Sequence, residues 1–249
     1  MASEVKTNKI SPSTLTTVTL GDASDLFQLP ASAEIDIASG ATLDVNGTID
    51  VTGATTTGFP AGGMAGVQVY TAGGTWTKAT RESALGVTIT KVIVEVQGAG
   101  GSGSATGGSN YGGGAAGGFS KKLVDVSSVS ASTITIGTGG AAVGANAGAG
   151  AAGGLSSWAD SVNTDVVGNG GGGKPVSTAV STGGTATGGD LQITGGDGTL
   201  YSGGSNMFGD GQPMYTKAGQ GYGSGGGYGH IGYGSGAGTG GIVVVWEYQ

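Results

Sequence analysis

The chain has 249 residues, a formal net charge of −7, and 10% charged residues, well below the roughly 25% usual for soluble domains. Its nine scattered Lys and Arg residues exclude the clustered basic footprint that a phosphate backbone requires. The lack of cysteine excludes disulfides, thiolate metal centres and a cysteine nucleophile.

The first residues, Met1 to Ile10, carry no basic segment followed by an apolar one, so no Sec leader is expected. No apolar run approaches the roughly 20 residues of a membrane span, so no membrane insertion is expected, and the acidic balance with scattered basic residues gives no expectation of a nucleic-acid partner. A surface of Ser, Thr, Asn and Gly without an export address points to release by another route, such as lysis.

Residues 1–30 mix Ser, Thr, Leu and Ile without a helical period and read as an irregular, strand-leaning anchor. Residues 31–57 then repeat an apolar-Asp-apolar triplet at Ile35-Asp36-Ile37, Leu43-Asp44-Val45 and Ile49-Asp50-Val51, followed by Gly40, Gly47 and Gly53. Spacings of eight and six residues suit short strands joined by glycine turns. One copy offers too little apolar face to close a core, so three copies wound around an axis are expected. A small hairpin stack within one chain is the alternative. Residues 58–66 read as a linker, with turn signals at Phe59-Pro60 and Gly62-Gly63.

The second domain is read over residues 67–249. Strands are expected at Val67 to Tyr70, Trp76 to Lys78, Val87 to Thr90 running into Lys91 to Gln97, Phe119 to Val124, and Ser132 to Ile136. Only Ala79 to Leu85 offers a helical turn or two. Forty-eight of the 59 glycines lie between Gly98 and Gly241, and the tract ends in Ile242-Val-Val-Val-Trp-Glu-Tyr248. Glycine loses more backbone freedom on folding than any other residue and brings no side chain to bury. A disordered linker needs no apolar terminus. Pairing of the terminal strand with Lys91 to Gln97 would tie both ends of the tract into one sheet. The glycines between would pack as extended threefold helices of the polyglycine II kind, whose backbone amides bond to neighbours.

Thr75-Trp-Thr-Lys78 after a glycine turn, the strand within Val87 to Val96, the glycine-rich body and the closing Gly241-Ile-Val-Val-Val-Trp-Glu-Tyr248 resemble the C-terminal glycine-rich domain of tailed-bacteriophage tail-fibre and host-recognition proteins. The resemblance covers about three quarters of the chain. The chain is also similar to T-even-type phage adhesins, whose glycine tracts form a polyglycine II bundle presenting variable loops. The N-terminal region looks like the virion-attachment and shaft segments that precede such domains.

The resemblance implies a virion structural protein on the tail or capsid surface, assembled in the host cytoplasm. It would be a homotrimer attached to other virion proteins through its N-terminus, and it would contact a host surface glycan or an outer-membrane protein. A head decoration or head-fibre protein is the alternative. The expected fold is all-β: a trimeric strand-repeat shaft (β-helix or prism), then a glycine-rich, β-sandwich-like domain with polyglycine II-type segments.

Signals of catalysis, cofactor or metal do not hold up, and no enzyme is expected. Gly168 to Lys174 matches part of a phosphate-binding loop, but Pro175 stands where Ser or Thr should hold magnesium. Gly195-Gly-Asp197-Gly198 matches part of a calcium-binding nonapeptide without a second copy, which leaves Asp190, Asp197 and Asp210 as weak calcium candidates. His230, the single histidine, lacks a positioned nucleophile and carboxylate. Asp36, Asp44 and Asp50 are read as solubilising a shaft face rather than as glycosidase carboxylates.

The sharper signal is aromatic: Tyr201, Phe208, Tyr215, Tyr222, Tyr228, His230 and Tyr233 stand among glycines in the last third of the tract. They are the receptor-contact candidates, since tyrosine stacks on sugar rings or apolar loops and its hydroxyl donates at low entropic cost. Their equal alternative is to serve as the domain's own core.

Overall fold

The computed structural model describes residues 63–106, 111–177 and 179–249. The expected anchor over 1–30 and the shaft over 31–57, with the triplet aspartates, lie outside the described residues. Among the described residues no helix is long and apolar enough to cross a membrane.

The alternating valines of β3 (Lys91–Gln97) set the first sheet. Val92, Val94 and Val96 are fully buried on one face, as a period of two requires. The terminal strand β10 (Ile242–Tyr248) pairs antiparallel with β3, Val245 opposite Val94. Its other edge pairs with β1 (Met64–Tyr70), Val245 opposite Gln68. The strand that closes the glycine tract therefore lies inside the sheet. β1 starts at Met64, within the stretch read as linker. On the far side of β3 come β4 (Phe119–Asp125) and the short β9 (Leu191–Ile193), giving the order β1-β10-β3-β4-β9.

A second five-stranded antiparallel sheet runs β2 (Gly74–Thr77), β5 (Ala131–Thr135), β6 (Ser156–Ala159), β7 (Val166–Gly168) and β8 (Ala186–Thr187). The two sheets face each other over one core of Val92, Val94, Val96, Val124, Val243 and Val245 from the first and Trp76, Ile134, Trp158 and Val166 from the second. Trp76 and Trp158 meet at 5.3 Å with tilted rings, one of the favoured aromatic geometries. The fold is thus all-β, as expected.

The helical candidate forms α1 (Lys78–Leu85), closed by Gly86 at φ 70°, the left-handed cap that glycine fills without strain. The expected strand over Val87 to Thr90 does not form; strand structure begins at Lys91. The Ile89 N–H is taken instead by the Glu82 carboxylate at 2.9 Å, and the Ile89 side chain is buried in the core.

From Gly98 onward the chain leaves the sheets as a threefold helix. Gly98, Gly101 and Ser104 donate to the carbonyls of Gly118, Ala115 and Gly112; Ala99, Ser102 and Ala105 donate to Gly154, Ala151 and Gly148; Gly100 and Gly103 donate to Thr239 and Gly236. Every third N–H thus reaches the same neighbour, the signature of three residues per turn. The carbonyls complete the set. Ala99 and Ser102 accept from Gly171 and Lys174, Gly101 and Ser104 from Gly226 and Gly229, and Gly100 from Gly140. Segment 98–105 therefore sits at the centre of six neighbouring segments.

Segment 112–118 follows the same rule, donating in threefold rotation toward Thr199 and Gly196, Gly226 and Gly223, and Gly172 and Asn169. Only glycine permits such an approach. A Cβ on Gly101 would lie 2.2 Å from the Gly172 carbonyl oxygen. Each backbone bond contributes about 1 kcal/mol net, and the saturated lattice offsets glycine's entropy where side-chain burial cannot. The seam to the sandwich is Gln97, fully buried, whose amide donates to the carbonyls of Gly98, Gly117 and Gly118 at 3.2, 2.7 and 3.2 Å.

Candidate functional site

The helices of the bundle rise about 3.1 Å per residue, so the far end of segment 98–105 lies about 20 Å beyond Gly98. Two aromatic residues are fixed there by a single backbone position. Ser104 donates to the Gly112 carbonyl and accepts from the Gly229 N–H, which brings the neighbouring Tyr111 and Tyr228 together. Their rings stack at 5.3 Å and 23°. Gly229 is obligatory, because a Cβ there would lie 2.5 Å from that of Ala105.

Three tight turns add the remaining rings. The Thr199 N–H donates to the Ser202 carbonyl, projecting Tyr201, which meets Tyr111 at 6.3 Å and Tyr228 at 6.0 Å. Tyr233 donates its N–H to the His230 carbonyl across a turn with Gly232 at φ 80°. Thr216 donates its N–H to the Tyr228 carbonyl and holds Tyr215 6.1 Å from Tyr228 and 5.3 Å from Tyr233. The His230 ring lies 5.5 Å from Tyr111 and 6.4 Å from Tyr215.

Thr216 adopts φ 62°, a left-handed conformation that is strongly disfavoured for a β-branched residue. Strain of this kind costs on the order of 1–3 kcal/mol and persists only where the surroundings impose it. Here it aims Tyr215 into the cluster.

The structure gathers Tyr201, Tyr215, Tyr228, His230 and Tyr233 from the sequence candidates and separates the other two. Phe208 packs on Phe119 at 5.7 Å, beside the first sheet. Tyr222 makes none of the cluster's ring contacts; its N–H donates to the Phe208 carbonyl and its own carbonyl accepts from Asn206. Tyr111 was not among the site candidates, yet it lies in the middle of the cluster. Its distance in sequence from Tyr228 hides the link, and only the threefold register of the two glycine segments would have revealed it.

Tyr111 and Tyr228 are half-buried at the base, whereas Tyr201, Tyr215 and Tyr233 are 61, 44 and 55% exposed. Leu200, Met214 and Ile231 stand exposed beside them. Packing and presentation are thus divided within one group. The base rings pack, and the outer rings offer apolar faces and hydroxyl groups to solvent. Exposed aromatic and aliphatic side chains are thus grouped at one end of the bundle.

The polar signals of the sequence have local partners. The Lys174 ammonium is buried and donates to the carbonyls of Pro175 and Ser177 at 2.9 and 2.7 Å, and burial pushes its pKa below the usual lysine range. Gly168 to Lys174 belongs to the glycine bundle, with Gly171 and Lys174 bonded to segment 98–105. Asp197 accepts from the Gly183 N–H at 2.7 Å and Asp190 from the Leu123 N–H at 3.1 Å. Among the described residues no group of three or more His, Asp or Glu side chains is placed to hold a metal ion.

Comparison with protein-family models gives no match, and no curated protein matches the sequence.

Proposed function

We propose that the protein is a bacteriophage tail-fibre or receptor-binding adhesin that attaches the particle to its host through the aromatic cluster. It acts by binding rather than by catalysis. The observation that carries this reading is the cluster itself: five tyrosines and a histidine from separate turns, held at the remote end of a rigid glycine bundle, with strain retained at Thr216. Rings presented on a stiff backbone lose little entropy when a ligand stacks on them. A host glycan or an apolar loop of an outer-membrane protein fits that surface.

In this reading the protein is a homotrimer whose N-terminal residues join it to other virion proteins. Three copies per fibre and several fibres per particle turn weak single contacts into firm attachment. Particles lacking the protein should adsorb poorly to host cells, and normal adsorption would overturn the proposal. Labelled antibody against the protein should mark the tail in electron micrographs. Label on the head shell would indicate a head fibre instead.

A further inference from the structure

The two outer faces of the sandwich differ sharply in chemistry. The second sheet turns Thr75, Thr77, Thr133, Thr135 and Thr187 outward, with Ala131, Ala159 and Val167 as the apolar residues among them, a mainly polar lining as expected where an antiparallel sheet meets water. The first sheet turns outward Val67 and Val69 of β1, Trp246 and Tyr248 of β10, Ile93 of β3, Leu123 of β4, and Leu191 and Ile193 of β9, around a buried Val244. Val69, Leu123, Leu191 and Ile193 are 59, 52, 48 and 37% exposed. Shallow grooves of about 290 and 300 Å³ run on either side of Leu123, both bordered by Ile93.

We infer that this outer face of the β1-β10-β3-β4-β9 sheet is where copies of the chain meet, three sheets turning their apolar faces toward a common axis. The inference rests on the homotrimer reading above and adds the surface that forms it.

Dimensions favour this occupant. The four seven-residue strands are about 23 Å long, and with the three-residue β9 at one edge they make a wall about 20 Å across at its widest, at about 4.8 Å between strands. Three such walls closed as a triangular prism stand about 6 Å from the axis, close to half the roughly 10 Å separation of packed sheets. Side chains of this size fill that space without a channel.

Charge does not oppose it: on this face Lys91 stands opposite Asp125 and Lys121 pairs with Glu95 at 2.8 Å, so the face presents both signs in near balance. The described chain begins at Gly63 beside β1, an edge strand of this sheet, and the Gly63 carbonyl accepts from the Gln249 N–H. On the homotrimer reading, copies joined ahead of that point would hold these sheets near one another at high effective concentration.

The cysteine-free sequence allows a direct test. Full-length Leu123→Cys and Thr133→Cys variants, the latter on the polar outer face, are treated with a short bis-maleimide, and the mass in solution is measured before cross-linking. A trimer mass with Leu123→Cys linked between copies at least tenfold more than Thr133→Cys is the expected result. A trimer in which Leu123→Cys links no better than Thr133→Cys would overturn the face and leave the trimer standing. A dimer linked through Leu123→Cys would keep the face and overturn the trimer. A monomer would overturn both and leave the face to a partner of other chemistry.

Discussion

Arg81 grips Glu247 with two parallel bonds, Nε to Oε1 at 2.8 Å and Nη2 to Oε2 at 2.7 Å, and so ties α1 to the terminal strand. Glu247 is fully buried, and Trp76 adds a third bond from its indole N–H at 2.8 Å. Gly66 makes room for the pair, since a Cβ there would lie 2.8 Å from Glu247 Oε2. Burial, then Glu247, raises the pKa of nearby Tyr70, which Arg81 partly offsets. Removing one partner of a buried ion pair strands the other charge. Arg81→Met should lose about 3 kcal/mol in urea unfolding. The double variant Arg81→Met with Glu247→Gln should recover most of that loss, because the neutral amide oxygen removes the uncompensated charge and still accepts from the Trp76 indole N–H.

The glycine lattice predicts opposite outcomes for one chemical change. Gly101→Ala would place a methyl group 2.2 Å from a backbone oxygen in the centre of the bundle, and soluble folded protein should be lost or its melting temperature should fall by more than 10 °C, equivalent to several kcal/mol. Gly144 has no atom within 4 Å of an added Cβ and no positive φ. Gly144→Ala should be neutral or stabilise by about 0.4–1 kcal/mol through the unfolded chain. Calorimetry on the pair compares them directly.

The strands bracketing the tract were legible as runs rich in β-branched residues, and in β3 the buried Val92, Val94 and Val96 also specify a face; the unbroken run Ile242 to Val245 specifies a strand but no face. Only the pairing of β10 with β3 shows that Glu247 falls on the core side with Val243 and Val245. Its partner was hidden as well, because Arg81 lies on a short helix with no apolar stripe. The strands β6 to β9 escaped notice because segments of two to four residues, Ser-Ser-Trp-Ala, Val-Val-Gly, Ala-Thr and Leu-Gln-Ile, are too short to show a period; their neighbours in the sheet define them. Glycine density announced a threefold bundle, but identical residues carry no register, and it is register that places Tyr111 against Tyr228.

Asp160 supplies the pH dependence. Burial raises its pKa, but the backbone N–H groups of Asn163 and Val162, the indole N–H of Trp158 and the Asn163 side chain outweigh burial and hold it below the usual carboxylate range. A depressed folded value means that the stabilisation is present above the unfolded pKa near 3.9 and is lost as pH falls through the folded value. Asp160→Ala should cost about 1–2 kcal/mol at pH 7, solvent access keeping it at the low end. The difference from the parent protein should narrow below about pH 4. Urea midpoints across pH 3–7 test this.

Thr216 separates stability from binding. Glycine accepts φ 62° without a Cβ penalty, so Thr216→Gly should raise the folded protein's stability by up to about 1 kcal/mol. Greater freedom at that turn should also let Tyr215 leave the cluster and weaken attachment to host cells. Equal attachment with unchanged stability would show that the strain has no part in presenting the ring.

The central claim is tested most directly by adsorption of particles carrying Tyr201→Ala, Tyr215→Ala and Tyr233→Ala together. These three rings are largely exposed but touch one another, Tyr111 or Tyr228, so the protein should stay folded with a melting temperature lower by only several degrees, a loss of about 1–2 kcal/mol. Loss of exposed aromatic anchors costs on the order of 2 kcal/mol or more in binding, and the adsorption rate constant should fall at least tenfold. An unchanged rate constant on correctly folded particles would contradict the account.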